Sequence, residues 1–287
     1  MTSTPGSTKQ LAEPVRRAAV ITHGRPETIG PALERLEKVA AGAGVELLLP
    51  EDELAKHGLP EGQADTAEAD IAVVLGGDGT MLRALRRFLG TRVPAIGVNF
   101  GSVGFLTSMG EGDLEEGLGR VFAGEYELVE LPTLEAEVGG ERRDAVNDAV
   151  VTSSTLGRMV ELEWSVGGES LGSLPCDGVI CATPSGSTAY NLSNGGPVLA
   201  WGLDAMTVTF IAPHSLRARA LVVPRSRDVV IANGTPDVSA TALADGHSFA
   251  EIPPGGEMTV RLGGQRSLLA TLPDSTFFSR YRKTFAV

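Results

Sequence analysis

The sequence predicts an α/β N-terminal domain built on a parallel sheet, followed by a β-rich C-terminal domain of β-sandwich-like character. Three observations carry this. Strand-like runs alternate with single helix-like runs up to about residue 131, short period-two strands dominate beyond it, and Gly-Gly pairs punctuate the second half where hairpin turns would fall. A parallel neighbour is reached only by a long crossover, so strands separated by single helices imply a layered parallel sheet.

In order, 17–22 is an apolar strand, and Leu33, Leu36, Val39 and Ala40 recur at helical spacing over 31–40. Strands follow at 45–49 and, more strongly, at 71–75. Leu82, Leu85, Phe88 and Leu89 then share one helical face over 81–89, and 95–98 is a strand after Pro94. The texture changes from about residue 132. Segments 134–138 and 159–166 alternate apolar with acidic or polar residues, each ending near a Gly-Gly pair, 139–140 and 167–168. Short strands continue at 208–212, 221–223, 229–231, 238–244 and 258–262, and Pro253 to Gly256 reads as a loop. The chain therefore divides into domains 1–131 and 132–270. A tail follows at 271–287, whose aromatic and basic end is predicted to dock rather than hang loose.

The 287 residues are enough for two domains of ordinary size, and 42% hydrophobic with 21% charged residues excludes disorder as the main state. With 36 acidic against 24 basic side chains the formal net charge is −12, which repels a nucleic-acid backbone. Cys176 and Cys181 cannot build a disulfide framework, and the four histidines show no zinc-ligand spacing, so no protein metal site is expected. No apolar run approaches a membrane span. The Ser/Thr-rich stretch 1–10 reads as a short leader, and the chain reads as cytoplasmic.

The sharpest local signal is Gly76-Gly77-Asp78-Gly79-Thr80, set between a buried strand and an amphipathic helix. Glycines let the backbone bend tightly and approach a bulky anion, and the following helix aims free N–H groups at it. The same residues also suit ordinary helix capping. A carboxylate beside phosphates is unfavourable unless it binds a cation or takes up a proton, so Asp78 points to phosphoryl transfer, with magnesium neutralising phosphate charge. Arg83, one turn on, would add positive charge or be a solvated helix arginine.

A second signal runs from Cys176-Asp177-Gly178 to Thr183-Pro184-Ser185-Gly186-Ser187-Thr188-Ala189-Tyr190-Asn191-Leu192-Ser193. Its hydroxyls and one flat aromatic suit a purine and its sugars, or simply a Ser/Thr-rich turn. Pro-Ser-Gly-Ser is not the elbow of a serine hydrolase. Asn147 and Asp148, adjacent near a strand edge, are able to hold vicinal ribose hydroxyls or to form a turn. Asp177, Asp245 and Arg158 are individually weak candidates.

Taken in order, Gly76-Gly77-Asp78-Gly79-Thr80, Asn147-Asp148 and Asp177-Gly178 leading to Gly186-Ser187-Thr188-Ala189-Tyr190 resemble the motifs of the NAD kinase family, over roughly residues 71–246. The first element alone also occurs in diacylglycerol, sphingosine and 6-phosphofructo kinases, whereas the Gly-Ser-Thr-Ala-Tyr element at this distance is specific. Three positions depart from the family pattern. Asp148 stands where relatives often carry Glu, Val103 replaces Leu in the stretch 97–106, and His247 replaces Gln after Asp245-Gly246.

The resemblance implies a Rossmann-like N-terminal domain, a β-rich C-terminal domain and a chain end returning to the first domain, with the active site in the crevice between the domains. It implies that the γ-phosphoryl of ATP passes to the 2′-hydroxyl of the adenosine ribose of NAD, with Mg2+ accompanying ATP. By similarity Asp78 is the proton acceptor, and Gly79 and Arg83 lie against the dinucleotide or the phosphates. Asn147 and Asp148 would hold the nicotinamide-side ribose, Arg158 would sit near a phosphate, and Thr188, Ala189, Tyr190, Asn191, Leu192 and Ser193 would surround adenine and its ribose. Asp245 belongs to the same binding set. Asp177 would reach a dinucleotide held mainly by a neighbouring subunit, in a homodimer or homotetramer. A lipid or sugar kinase carrying the same glycine turn, or a non-catalytic nucleotide sensor, are the alternative readings.

Overall fold

The computed structural model describes residues 13–24, 26–58, 65–101, 104–155 and 157–285. The leader 1–10 and Val103 lie outside them. The chain forms two compact units, 1–130 with 267–287, and 131–266.

The first unit runs β1 (Arg17–Thr22), α1 (Pro26–Ala43), β2 (Glu46–Leu48), α2 (Glu51–His57), β3 (Ile71–Leu75), α3 (Asp78–Arg87), β4 (Ala95–Asn99), β5 (Met109–Gly110) and α4 (Leu114–Phe122). Strands β2, β1, β3 and β4 lie side by side in that order, all parallel, with Ala19 opposite Ala72 and Val73 opposite Ile96. Every residue of β3 is buried, as expected of a parallel sheet covered on both faces. Leu36 of α1, Leu114, Leu118 and Val121 of α4, and Val20, Val73 and Ile96 of the sheet form one core.

The helix predicted over 81–89 begins at Asp78, because the glycine turn delivers the chain directly into helical backbone with Gly77 as its cap. Helix α4 is not predicted by the sequence. Its two glycines mask the pattern, yet Leu114, Leu118, Val121 and Phe122 are buried, and a Cβ at Gly117 would collide with the Met109 sulfur.

The second unit begins within β6 (Glu127–Val138) and continues through β7 (Glu141–Ala145), β8 (Asp148–Ser153), β9 (Val160–Val166), β10 (Glu169–Cys176), β11 (Gly178–Ala182), the short helix α5 (Tyr190–Ser193), β12 (Ala205–Ile211), β13 (Leu221–Pro224), β14 (Val229–Asn233), β15 (Ala240–Ala244), β16 (His247–Ile252) and β17 (Glu257–Thr271). One antiparallel sheet has the order β13-β12-β11-β8-β15-β16. Facing it are β10, β9, β14 and the first part of β17. Val151, Val179, Val208 and Ala242 from the first sheet meet Leu162, Ile231 and Val260 from the other in a shared core, the arrangement of a sandwich.

Both Gly-Gly pairs have positive φ at each residue and close two-residue hairpins, β6–β7 and β9–β10, as the sequence predicts. Strand β17 ends in the first unit, where Leu269 pairs in parallel with Ala95 of β4. The final helix α6 (Phe277–Phe285) packs Phe277 and Phe285 on Phe105, with ring centroids 5.3 and 5.8 Å apart.

Candidate active site

In the first unit the chain leaves β1 for β2 on one side and β3 on the other, so the strand order reverses between β1 and β3. Ligands of open α/β sheets bind outside the carboxyl ends of the strands at such a point. A cavity of about 570 Å³ opens there, lined by His23 and Gly24 after β1, by Gly76, Gly77 and Arg83, and by Gly101 after β4. Gly76 is obligatory in this turn, because a Cβ on it would overlap the Thr80 side chain. The first N–H groups of α3 have no intrahelical carbonyl to serve, which favours an anion. Gly79 is exposed at this mouth.

Asp78, the first residue of α3, is half-buried and does not hang free. Its Oδ2 accepts the Phe105 N–H at 2.6 Å and its Oδ1 the Leu106 N–H at 2.9 Å, so the carboxylate is fixed in one orientation. Gly104 is the residue that allows this approach, since a Cβ there would collide with Asp78 Oδ1.

Arg83 has an exposed flank, but its Nη2 donates to the Thr22 carbonyl at 2.5 Å and to Glu53 Oε1 at 3.0 Å. Glu53 is completely buried. It also accepts the Thr22 hydroxyl at 2.6 Å and Lys56 Nζ at 2.7 Å, so two cations and a hydroxyl compensate one desolvated carboxylate. Sequence reasoning passes over Glu53, whose short charged helix looks like a solvated surface. Its spacing to Lys56 and His57, three and four residues on, is the only local hint.

In the second unit the motif residues converge on the segment 146–148. Thr183, in the loop after β11, donates its hydroxyl to the Val146 carbonyl at 2.7 Å and its N–H to the Asn147 carbonyl at 2.9 Å. Ser185 donates to Asn147 Oδ1 at 2.9 Å. From the opposite side Asp245 accepts the N–H groups of Val146, Asn147 and Asp148 at 2.9, 2.7 and 3.1 Å. Asp245 and Gly246 both have positive φ and form the two-residue turn between β15 and β16, an Asp-Gly hairpin signal that sequence reasoning passes over together with β16 itself. The Asp245 carboxylate is thus engaged inside the protein and orients Asn147 and Asp148. His247, whose role the sequence leaves open, donates from Nδ1 to the Asp245 carbonyl at 2.9 Å, within the same turn.

Asp148 opens β8, a central strand between β11 and β15, and is 6% exposed. Burial, with the neighbouring Asp245 charge, pushes its carboxyl up to about 7. Thr188, Ala189 and Leu192 are half-buried, and Tyr190 and Ser193 are exposed. Asn191 is fully buried, and its amide accepts the Thr207 and Thr209 hydroxyls at 2.8 and 2.7 Å while donating to the Ser187 and Pro197 carbonyls. It anchors the loop from within. Asp177 is exposed between β10 and β11. Arg158 is exposed and pairs with Asp237 at 3.1 Å, apart from the 146–148 cluster.

Residues 60–126 match the family model of the ATP-NAD kinase N-terminal domain, and residues 146–271 match that of the ATP-NAD kinase C-terminal domain. The chain belongs to the NAD kinase family. It is 38% identical to a NAD kinase of Symbiobacterium thermophilum over 275 residues, covering 93% of this chain and 97% of that one. It is 32% identical to a NAD kinase of Corynebacterium diphtheriae over 283 residues, covering 92% and 89%. Among solved structures, a NAD kinase of Archaeoglobus fulgidus in complex with ATP superposes with a TM-score of 0.71 at 26% identity, covering 94% of this chain and 97% of that one. Yeast NADH kinase complexed with NADH shares the fold, with a TM-score of 0.81 at 21% identity, covering 94% and 87%. The two NAD kinase segments enclose both clusters described above, the glycine turn with Asp78 and the 146–148 segment with its clamps. Among the described residues no helix is long and apolar enough to cross a membrane.

Proposed function

We propose that this protein is an ATP-dependent NAD kinase, transferring the γ-phosphoryl group of ATP to the 2′-hydroxyl of the adenosine ribose of NAD and releasing NADP and ADP. The observation that supports it most is the oriented Asp78 carboxylate at the start of α3, in a glycine turn whose Gly76, Gly77 and Gly79 line the cavity at the strand-order reversal. In the transfer the ribose oxygen bonds to the γ-phosphorus as the bond to the bridging β,γ-oxygen breaks. Asp78 orients the attacking hydroxyl and takes its proton. Little covalent work falls to the protein in such a reaction, so alignment and charge stabilisation carry the rate.

The α3 N–H groups, Gly79 and Arg83 bind phosphate oxygens. Asn147 and Asp148 hold the nicotinamide-side ribose, with Asp245 orienting both, and Arg158 serves a phosphate. Residues 188–193 receive adenine and its ribose, with Tyr190 offering its exposed ring and Asn191 fixing the loop. Asp177, exposed, reaches a dinucleotide on a neighbouring copy in a homodimer or homotetramer.

The donor is the magnesium complex of ATP, in which the cation screens phosphate charge. Magnesium is usually held by substrate phosphates and waters with one or two carboxylates. Here it would come with the ATP phosphates, whose oxygens the α3 N–H groups would bind, with Asp78 the carboxylate at that turn. The two thiols, both free and pushed by burial to about 11 and about 12, are inert and suit a reducing cytoplasm.

Purified protein given NAD, magnesium and either ATP or polyphosphate tests the reading. NADP should form with ATP, and Asp78→Asn should keep the fold while lowering turnover about 1,000-fold. An unchanged rate in that variant removes the base assignment. Phosphorylation of diacylglycerol or a sugar phosphate but not NAD, or binding without any NADP, overturns the function.

A further inference from the structure

Helix α6 contributes a buried arginine that phosphoryl transfer as described above does not use. Arg280 is 6% exposed, an unusual position for a guanidinium. Its Nη1 donates to the Phe105 carbonyl at 2.8 Å and to the Thr107 carbonyl at 2.5 Å, its Nη2 to the Ser108 hydroxyl at 3.0 Å, and its Nε to the Ser275 carbonyl at 3.2 Å. Burial pushes the guanidinium down to about 10, and the Asp78 charge acts in the opposite direction.

The Phe105 carbonyl and the Leu106 N–H belong to the same peptide group. On its carbonyl side that peptide receives the Arg280 guanidinium, and on its N–H side it donates to Asp78 Oδ1. The preceding peptide donates the Phe105 N–H to Asp78 Oδ2. A cation on the carbonyl polarises the peptide and strengthens the bond that its N–H makes, because hydrogen bonds in series reinforce one another at low dielectric. Nη1 also holds the Phe105 and Thr107 carbonyls together, which fixes the direction of the peptide whose N–H, that of Leu106, holds the carboxylate.

We infer that Arg280 is a positioning residue for catalysis, holding the Asp78 carboxylate in its reactive orientation through the Phe105–Leu106 peptide. This rests on the reading of Asp78 as the proton acceptor. The aromatic packing of Phe277 and Phe285 on Phe105 supplies the separate force that docks α6, so the helix has an anchor that does not depend on the guanidinium.

The test compares Arg280→Gln, Arg280→Lys and Asp78→Asn, each alone, with the double variant Asp78→Asn/Arg280→Gln, in the full-length protein. Thermal unfolding of each gives the folded fraction against which rates are normalised. The expected result is a fall in kcat of at least 10-fold for R280Q, with KM for NAD and for ATP within about 2-fold of wild type. R280K, which keeps the charge but loses the fork, should recover part of that rate. In the Asp78→Asn background R280Q should cost no further activity, because the residue it serves is gone.

A fall in kcat no larger than the loss of folded protein overturns the inference, as does an equal R280Q penalty with and without Asp78. Should R280Q fail to fold, the kcat of R280K decides alone, wild-type turnover overturning the role and a 3-fold or greater loss at unchanged KM supporting it. Full activity in Asp78→Asn by itself would instead remove the base assignment on which the inference stands, a separate outcome.

Discussion

Gly186 is packed so tightly on Asn147 that a Cβ added to it would overlap the Asn147 carbonyl oxygen, carbon and Cα together. These are backbone atoms of a segment pinned by Thr183 on one side and Asp245 on the other, so they cannot step aside cheaply. Gly186→Ala should therefore displace Asn147, raising KM for NAD about 10-fold or more and lowering Tm by several degrees. Steady-state kinetics with a melting curve checks both.

Asp245 accepts three backbone N–H groups from the buried segment 146–148. Replacing it with alanine strands all three, and each orphaned buried group costs about 1–3 kcal/mol. Asp245→Ala should destabilise the protein by about 3 kcal/mol or more in denaturant unfolding. Asp245→Asn, which keeps one acceptor oxygen, should fall between it and wild type and weaken NAD binding less.

The carboxyl of Asp148 sits near 7 rather than near 3.8, by burial first and the Asp245 charge second. Between these values the folded chain holds a proton that the unfolded chain has lost, so stability falls as pH rises from about 4 to about 7 and is flat above. The full shift corresponds to about 4 kcal/mol as an upper bound. Asp148→Asn, neutral throughout, should match wild type in Tm below about pH 4 and exceed it increasingly above that, by several degrees at about pH 8. Wild-type affinity for NAD should rise as pH passes through about 7, where the folded-state carboxyl ionises, because the ionised carboxylate is the better acceptor for ribose hydroxyls.

Glu53 is the buried anion between Lys56 and Arg83. Glu53→Gln keeps the shape but leaves both cations beside a neutral amide, and breaking a buried pair typically costs about 3–5 kcal/mol. The half-exposed Arg83 recovers some of this by turning to solvent, so a loss of about 3 kcal/mol is expected. KM for ATP should change as well, since Arg83 lines the cavity by the glycine turn. Equal stability of the variant and wild type in urea would contradict the account.

The chain's own pattern determines the alternation of buried strands and single helices in the first unit, the Gly-Gly hairpins of the second, and the chemistry of the Gly76 to Thr80 turn. Each is a local matter of periodicity or backbone freedom, which a stretch of 5 to 15 residues expresses by itself. Helices α2 and α4 are hidden because one is short and charged and the other interrupted by glycines. Packing makes them, through buried Glu53 and through the close approach of Gly117 to Met109.

The same holds for the partners of the proposed site. That Asp245 reaches back about a hundred residues to Asn147, or that Arg280 meets Phe105 across 175, has no signature in sequence spacing. Local backbone preference is written residue by residue, whereas a buried charge finds its compensating donors only where the folded chain brings distant segments together, and that the tertiary structure alone decides.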